Sequence, residues 1–238
     1  MKLALIGYGK MGKAVEEEAV LRNHTISLVI NDAGEWADKF HLLKTCDAAI
    51  EFTMPGVAVS NIFKCFDAGV PVVCGTTGWH DALEEVKSRC TQQNGTLFYA
   101  SNFSPGVNMF FEINRRLAQL MNKLPEYEVK IEEIHHVQKL DAPSGTAITL
   151  ANDIIGNIDR KSGWTNHPAS NPAELEIASV REGQVTGVHT VTWDSAIDTI
   201  AIHHEAKNRK GFAIGAVLAA EFLAGKHGIY NMKDLLGL

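Results

Sequence analysis

The chain is poor in cysteine. Cys46, Cys65, Cys74 and Cys90 stand far apart with no C-x-x-C pair, which fits neither a zinc knuckle nor a redox dithiol. They read as reduced core or surface thiols. Clustered positive charge is missing too: no Lys/Arg run exceeds two residues, and 22 Lys+Arg against 28 Asp+Glu leave a formal charge of −6. Nucleic acid and anionic membranes are therefore poor partners, because both require concentrated positive charge. Long apolar runs are absent. The start, Met-Lys-Leu-Ala-Leu-Ile-Gly, is too short in apolar residues for a signal-peptide core, and residues 212–220 contain Gly215 and stop at Glu221, short of the ~20 residues of a membrane span. A cytoplasmic protein is expected. Internal repeats and low-complexity segments are lacking as well. What is there is an ordinary globular composition, 45% apolar and 21% charged over 238 residues, enough for one large or two small domains without a metal or disulfide staple. Small molecules are the expected partners.

Up to about residue 104 the chain alternates short apolar, β-rich runs (2–6, 27–30, 48–52, 70–73 and 97–100) with segments of helical spacing (11–22, 57–68 and 80–93). Strands that are apolar throughout are buried on both faces, so this predicts a doubly wound α/β unit with a parallel sheet. After Asn102 the pattern changes. A long helix over 106–122 precedes a half-solvated strand over 128–136, in which Val129, Ile131 and Ile134 punctuate charged residues. A second helix is expected over 143–155, capped by Asp141 with Pro143 in its first turn. Residues 156–173 read as loop, and 175–180, 187–194 and 198–203 as further strands of a mixed sheet with one open face. The helix over 212–223 is rich in small residues and can return to the first domain.

The first strand runs into Gly7-Tyr8-Gly9-Lys10-Met11-Gly12 and then a helix, which puts G-x-G-x-x-G in the turn where a dinucleotide site needs it. Gly7 permits the tight turn, Gly9 lets backbone approach a pyrophosphate, and Gly12 allows close helix–strand packing, while the helix N-terminus offers free N–H groups. About twenty residues on, Asp32 is the candidate for the adenosine ribose, with Asn31 beside it; a plain turn cap is the alternative. No Arg or Lys follows before Lys39, and Glu35 and Asp38 add negative charge where a 2′-phosphate would lie, so the sequence leans to NADH. The later strands end in Phe52-Thr53, Gly75-Thr76-Thr77-Gly78 and Ser101-Asn102-Phe103-Ser104. Ligands in open α/β sheets lie outside the carboxyl ends of the strands, so these clusters are candidates for the nicotinamide half of the site.

A second constellation spans Glu133 to Ala147. His135, His136 and Lys139 together do not look like a core motif, and one strand points adjacent imidazoles in opposite directions. A surface or structural double histidine is the bland alternative; a metal site lacks a nearby carboxylate or thiol at ligand spacing, and no metal is expected. Ser144-Gly145-Thr146 opens a helix, whose free N–H groups and hydroxyls suit a carboxylate, and Lys139 supplies a full positive charge. Cation, helix start and candidate proton donor describe a site for an acidic substrate undergoing protonation.

These motifs, Gly-Tyr-Gly-Lys-Met-Gly at 7–12, Glu-Phe-Thr at 51–53, Gly-Thr-Thr-Gly at 75–78, Asn-Phe-Ser at 102–104 and above all His-His-x-x-Lys-x-Asp-Ala-Pro-Ser-Gly-Thr-Ala at 135–147, make the chain resemble the 4-hydroxy-tetrahydrodipicolinate (dihydrodipicolinate) reductase family over nearly its whole length. Weaker matches lie at Gly187-x-His189 and from His204 to Ala213. The resemblance implies an N-terminal Rossmann domain, residues 1–104 completed by 208–238, and an α+β substrate-binding and oligomerisation domain over 105–207 that assembles a homotetramer through its mixed open sheet. It implies NADH or NADPH as coenzyme and a cyclic dicarboxylate hydroxy-imine as substrate, reduced with loss of water. Carried over by position, His135 is the proton donor and Lys139 its partner in charge stabilisation. His136, Ser144, Gly145 and Thr146 join Lys139 on the substrate. Gly7, Tyr8, Gly9, Lys10, Met11, Gly12, Asp32, Phe52, Gly75, Thr76, Thr77, Ser101, Asn102, Phe103 and Ser104 face the coenzyme. With a free pKa near ~6.5, His135 is the side chain most readily protonated around neutrality, and substrate carboxylates would favour its charged form. Hinges near 102–107 and 205–210 would let the domains close. Another two-domain oxidoreductase sharing the Rossmann half, or a nucleotide sensor without turnover, would keep the glycine loop but has no need of His135, His136, Lys139 and the Ser-Gly-Thr helix start together.

Overall fold

In the computed structural model, which describes residues 1–238, the apolar runs of the first hundred residues become strands joined by helices. β1 (Lys2–Ile6), α1 (Lys10–Leu21), β2 (Thr25–Ile30), α2 (Trp36–Leu43), β3 (Ala48–Glu51), α3 (Pro55–Ala68), β4 (Val72–Cys74), α4 (Leu83–Gln92) and β5 (Thr96–Tyr99) alternate. Then come α5 (Pro105–Met121), β6 (Glu128–His135), α6 (Gly145–Ile155), β7 (Gly163–Thr165), β8 (Glu174–Arg181), β9 (Val188–Asp194) and β10 (Thr199–Glu205). The chain closes with α7 (Lys210–Phe222), β11 (Gly228–Tyr230) and α8 (Met232–Leu236). It forms two compact units, Met1–Pro105 with Lys210–Leu238, and Gly106–Arg209. No helix is long and apolar enough to cross a membrane.

The first unit is a six-stranded sheet in the order β11-β5-β4-β3-β1-β2, parallel at every pairing. Crossover helices cover both faces of such a sheet, and β3 and β4 are accordingly buried at every residue. One face packs Ile30, Ile62, Phe66 and Leu97, the other Leu5, Ile50 and Phe98 with Ala213, Ala216 and Ala220 of α7. Small residues let α7 come close: a Cβ on Gly215 would lie 1.7 Å from the Phe103 carbonyl oxygen. Because β2 and β3 flank β1 on opposite sides, the strand order reverses there, and ligands of doubly wound sheets bind beyond the carboxyl ends of strands at that point.

The second unit is a five-stranded mixed sheet, β10-β9-β6-β8-β7, with β6 parallel to β8 and antiparallel to β9. Val129, Ile131, Ile177, Val191 and Trp193 face Phe110 of α5 and Leu150 and Ile154 of α6. Strand parity then sends Lys130 and Glu132 outward and, on the same inner face as Val129 and Ile131, buries Glu133 and His135. Ile134, an apolar-face residue by its sequence pattern, lies on the opposite side, one residue out of phase with the core.

Five local features differ from expectation. The eight-residue α2 has no counterpart in the sequence pattern, because only its ends, Trp36 and Leu43, are buried and no helical stripe is visible. β11 leaves no clear pattern either, being three residues at a sheet edge, and β7 forms within the segment that reads as loop. Residues 70–71 do not join β4; Gly69, at φ 70°, ends α3, and the Val70 amide bonds back to Cys65 at 2.9 Å. Finally, α6 starts at Gly145 and its cap is Ser144, whose Oγ accepts from the Ala147 amide at 3.2 Å; Asp141 pairs instead with Lys139.

Candidate active site

The glycine loop lies at the switch point. Gly7 has φ +91°, and a Cβ there would sit 2.0 Å from the Phe52 carbonyl oxygen; one on Gly12 would sit 2.3 Å from the carbonyl oxygen of Gly7. Both positions are closed by the chain itself. Gly9 differs: a Cβ would meet nothing within 4 Å, so the opening above it serves no internal packing and fits the approach of a pyrophosphate to the first turn of α1. A cavity of about 490 Å³ is lined there by Gly9, Lys10, Met11, Phe52, Thr53, Pro55, Gly75, Thr76 and Thr77. A second, of about 220 Å³, includes Asn31, Asp32, Ala33, Trp36, Thr53 and Asn61 in its wall. The residues fit a dinucleotide.

Asp32 caps the turn, its Oδ1 accepting from the Gly34 amide at 2.7 Å, and the residue also lines the smaller cavity. Asn31 is committed to the loop, its Oδ1 accepting from the Tyr8 amide at 3.1 Å; the Tyr8 hydroxyl bonds Glu16. Lys39, the first cation after Asp32 in the chain, donates to the Val29 carbonyl at 2.9 Å and to Glu35 at 3.0 Å. Beneath the cavities Glu51 is fully buried, accepting from Thr53 Oγ1, from Asn61 Nδ2 at 3.3 Å and from Cys74 Sγ at 3.2 Å. Asn61 in turn accepts from Trp36 Nε1 at 3.1 Å, so one hydrogen-bonded network underlies both cavities. The expectation for Phe103 needs correction: at 2% exposure it is a core residue against Phe52 and Phe98. Ser101 is exposed, and Asn102 Oδ1 accepts from the Ser104 amide at 2.9 Å.

In the second unit the central group is Glu133, which opens the second constellation but to which the sequence reading gives no role. Its carboxylate accepts from the Ser144 amide at 3.0 and 3.2 Å, from Ser179 Oγ at 2.8 Å and from Arg181 Nη2 at 3.3 Å. His135 Nδ1 stands 3.4 Å and His189 Nε2 3.6 Å from Oε2. The two imidazoles meet edge to face with centroids 5.1 Å apart, and His189 Nε2 is 3.2 Å from Ser144 Oγ. The signal is present in the strand period, which gives Glu133 the parity of Val129 and Ile131; a carboxylate at a core position demands partners.

This changes the expected cradle. The Ser144 amide is spent on Glu133 and its hydroxyl on the helix cap, so the unpartnered donors of the first turn are the amides of Gly145 and Thr146. Lys139 Nζ holds Asp141 at 2.8 and 2.9 Å, and Arg181 clamps the same loop through the carbonyls of Asp141 at 2.5 Å and Lys139 at 3.3 Å. His136 is half-buried, its Nδ1 without a partner.

Burial alone would raise the Glu133 carboxyl, but the hydrogen bonds from His189, Ser144 and Ser179 outweigh it and hold the group well below the usual range. His135 behaves oppositely to the sequence expectation. Burial, partly offset by the Glu133 charge, pushes its pKa down to about 4, so the ligand-free imidazole is neutral at pH 7. Glu133, His135 and His189 offer metal-ligand atoms within 4.8 Å of one another, yet the Arg181 guanidinium and the Ser144 amide already occupy the carboxylate. That donor set suits a proton better than a metal cation.

Comparison with known proteins agrees over the whole chain. Residues 1–103 match the family described as dihydrodipicolinate reductase, N-terminus, and residues 106–236 the family described as dihydrodipicolinate reductase, C-terminus. A 4-hydroxy-tetrahydrodipicolinate reductase of Christiangramia forsetii is 48% identical over 99% of this chain and 98% of its own. One from Neisseria meningitidis serogroup C is 37% identical over 83% of this chain and 75% of its own. Among solved structures, dipicolinate-bound dihydrodipicolinate reductase from Paenisporosarcina sp. TG-14 shares the fold at a TM-score of 0.76, with 21% identity over 97% of both chains. The chain belongs to the dihydrodipicolinate reductase family.

Proposed function

We propose that the protein carries out the reaction for which its curated relatives are named, the NAD(P)H-dependent reduction of 4-hydroxy-tetrahydrodipicolinate to tetrahydrodipicolinate and water, in diaminopimelate and lysine biosynthesis. One observation carries the assignment to this site. A single buried carboxylate, Glu133, touches both the imidazole pair and the first turn of α6, whose Gly145 and Thr146 amides are free. A proton source thus stands beside an anion cradle, as an acidic substrate undergoing protonation requires.

A dihydronicotinamide held by the first unit would supply the hydride for the conjugated imine carbon. The chain's own residues do the rest. Gly145, Thr146 and Lys139 bind the substrate carboxylates, Lys139 by exchanging Asp141 for a ligand oxygen, and His136 adds a contact. His135 gives its proton to the electron-rich enamine system that hydride addition creates. In the first unit the Gly7–Gly12 turn receives the pyrophosphate, Asp32 the adenosine ribose, and Phe52, Thr76, Thr77, Asn102 and Ser104 the nicotinamide half. We assign NADH as the preferred coenzyme, because Asp32 lines the cavity at the ribose end and Lys39, the first cation after it in the chain, is already paired with Glu35. A homotetramer in the cytoplasm completes the proposal, with the outer face of the five-stranded sheet as its contact.

The test is oxidation of NADH and NADPH with hydroxy-tetrahydrodipicolinate generated in the cuvette from pyruvate and aspartate semialdehyde by a coupling synthase. Substrate-dependent loss of reduced-nicotinamide absorbance, faster with NADH, is expected. Nucleotide binding without turnover would leave the first unit correctly read and the second not.

A further inference from the structure

Glu133 is fully buried and accepts from Ser144 at the start of α6 and from Ser179 and Arg181 on β8, with the imidazoles of His135 and His189 standing 3.4 and 3.6 Å from its Oε2. Hydride addition and protonation do not by themselves call for a carboxylate at this place. A core carboxylate is costly unless its position is needed. Two details say what the position does. His135 Nδ1 is buried with no hydrogen-bond partner, and Glu133 Oε2, at 3.4 Å, is the acceptor it faces. On the other side of the ring, Nε2 looks toward Gly187, where a Cβ would lie 3.1 Å away.

We propose that Glu133 is the positioning residue of the proton donor. It holds His135 as the Nδ1–H form, so that Nε2 is the atom that takes up and delivers the proton, and through Ser144 it ties the anion cradle to the same anchor. This deepens the functional reading above and rests on it for the role of His135. In turnover the Nε2–H bond of the imidazolium breaks, its electron pair stays on nitrogen, and the proton bonds to the substrate's enamine system. The neutral Nδ1–H ring remains, and Glu133 stays ionised throughout. The opposite tautomer would aim a lone pair at the carboxylate. The surroundings make the charge matter: His189 from β9, Arg181 from β8 and Lys139 from the loop after β6 all act against a positive His135, and Glu133 alone favours it. The logic is that of a base oriented by a buried acid, with catalytic geometry tightening when ligands bind.

Glu133→Gln keeps the shape and removes the charge. We expect the limb of the kcat profile that falls with rising pH to move down by about one pH unit, and kcat at neutral pH to drop roughly tenfold, with NADH affinity unchanged. Glu133→Asp, which retains the charge, returns the limb toward its original pH even where kcat stays low. Nitrogen-15 NMR of the imidazoles in the wild-type protein supplies a readout independent of folding or turnover, in which neutral His135 is protonated at Nδ1. A wild-type His135 protonated at Nε2 overturns the proposal, as does a folded Glu133→Gln enzyme with kcat within about twofold and an unmoved limb. The tautomer decides the matter even for a wild-type chain that reduces no hydroxy-tetrahydrodipicolinate, an outcome that would defeat the functional reading instead.

Discussion

Binding of a dicarboxylate to the second unit should draw a proton from solution. With its pKa at about 4, His135 in the ligand-free chain is protonated at pH 7 in roughly one molecule per thousand, and charging it there costs about 4 kcal/mol. A ligand carboxylate about 4 Å from the ring is worth about 4 kcal/mol at an effective dielectric constant near 20, which moves the pKa up by about three units, to around neutrality. The two figures match, so a dicarboxylate held by Lys139 and the first turn of α6 suffices to load the donor. The assay is calorimetric titration with dipicolinate, the ligand bound in the related Paenisporosarcina protein, in buffers of different ionisation enthalpy between pH 6 and 8. We expect uptake of a large fraction of one proton near pH 6.5, with affinity weakening as pH rises, and loss of that uptake in His135→Asn. Tight binding with no proton uptake across the range would refute the reasoning, because the proton would then have to come from elsewhere.

Gly9→Ala should fold normally and lose most NADH affinity, whereas Gly7→Ala should lower stability by more than about 2 kcal/mol, since its Cβ has no room and its φ is positive; thermal melts and fluorescence titration separate the two. Gly187→Ala should leave NADH binding intact and cut kcat, because the added methyl presses on His135 Nε2; unchanged turnover would remove that face of the ring from the mechanism. The depressed pKa of buried His135 also sets an acid sensitivity. Folded and unfolded chains are both neutral at this residue above pH 6.5; as pH falls toward 4 the unfolded chain binds the proton first, so stability drops by up to about 3 kcal/mol. His135→Gln should flatten that part of the pH–stability curve in urea melts. Asp32→Ala should weaken NADH more than NADPH in binding titrations; a uniform loss would reduce Asp32 to the turn cap that its bond to Gly34 also makes it.

Local rules make much of this protein legible from its residues. Apolar runs bounded by turns locate five of the six strands of the doubly wound unit, the glycines of the first turn state their own conformational need, and Ser144-Gly145-Thr146 announces a helix start. Those are properties of a few adjacent residues, and neighbours in sequence suffice to read them. Glu133 shows where such reading stops. Its parity on β6 marks it as inward, but only packing brings Ser179 and Arg181 from β8 and His189 from β9 around one carboxylate. Glu51 is a parallel case, completed by Asn61 on α3 and Cys74 on β4. The chemistry-bearing residues are thus determined by the sequence alone, while their state is decided by the tertiary structure. Burial turns His135 from a side chain half-charged near neutrality into a neutral one, and bonds from other elements keep Glu133 ionised, because the free energy of a charge depends on everything within a few ångströms of it and not on its place in the chain.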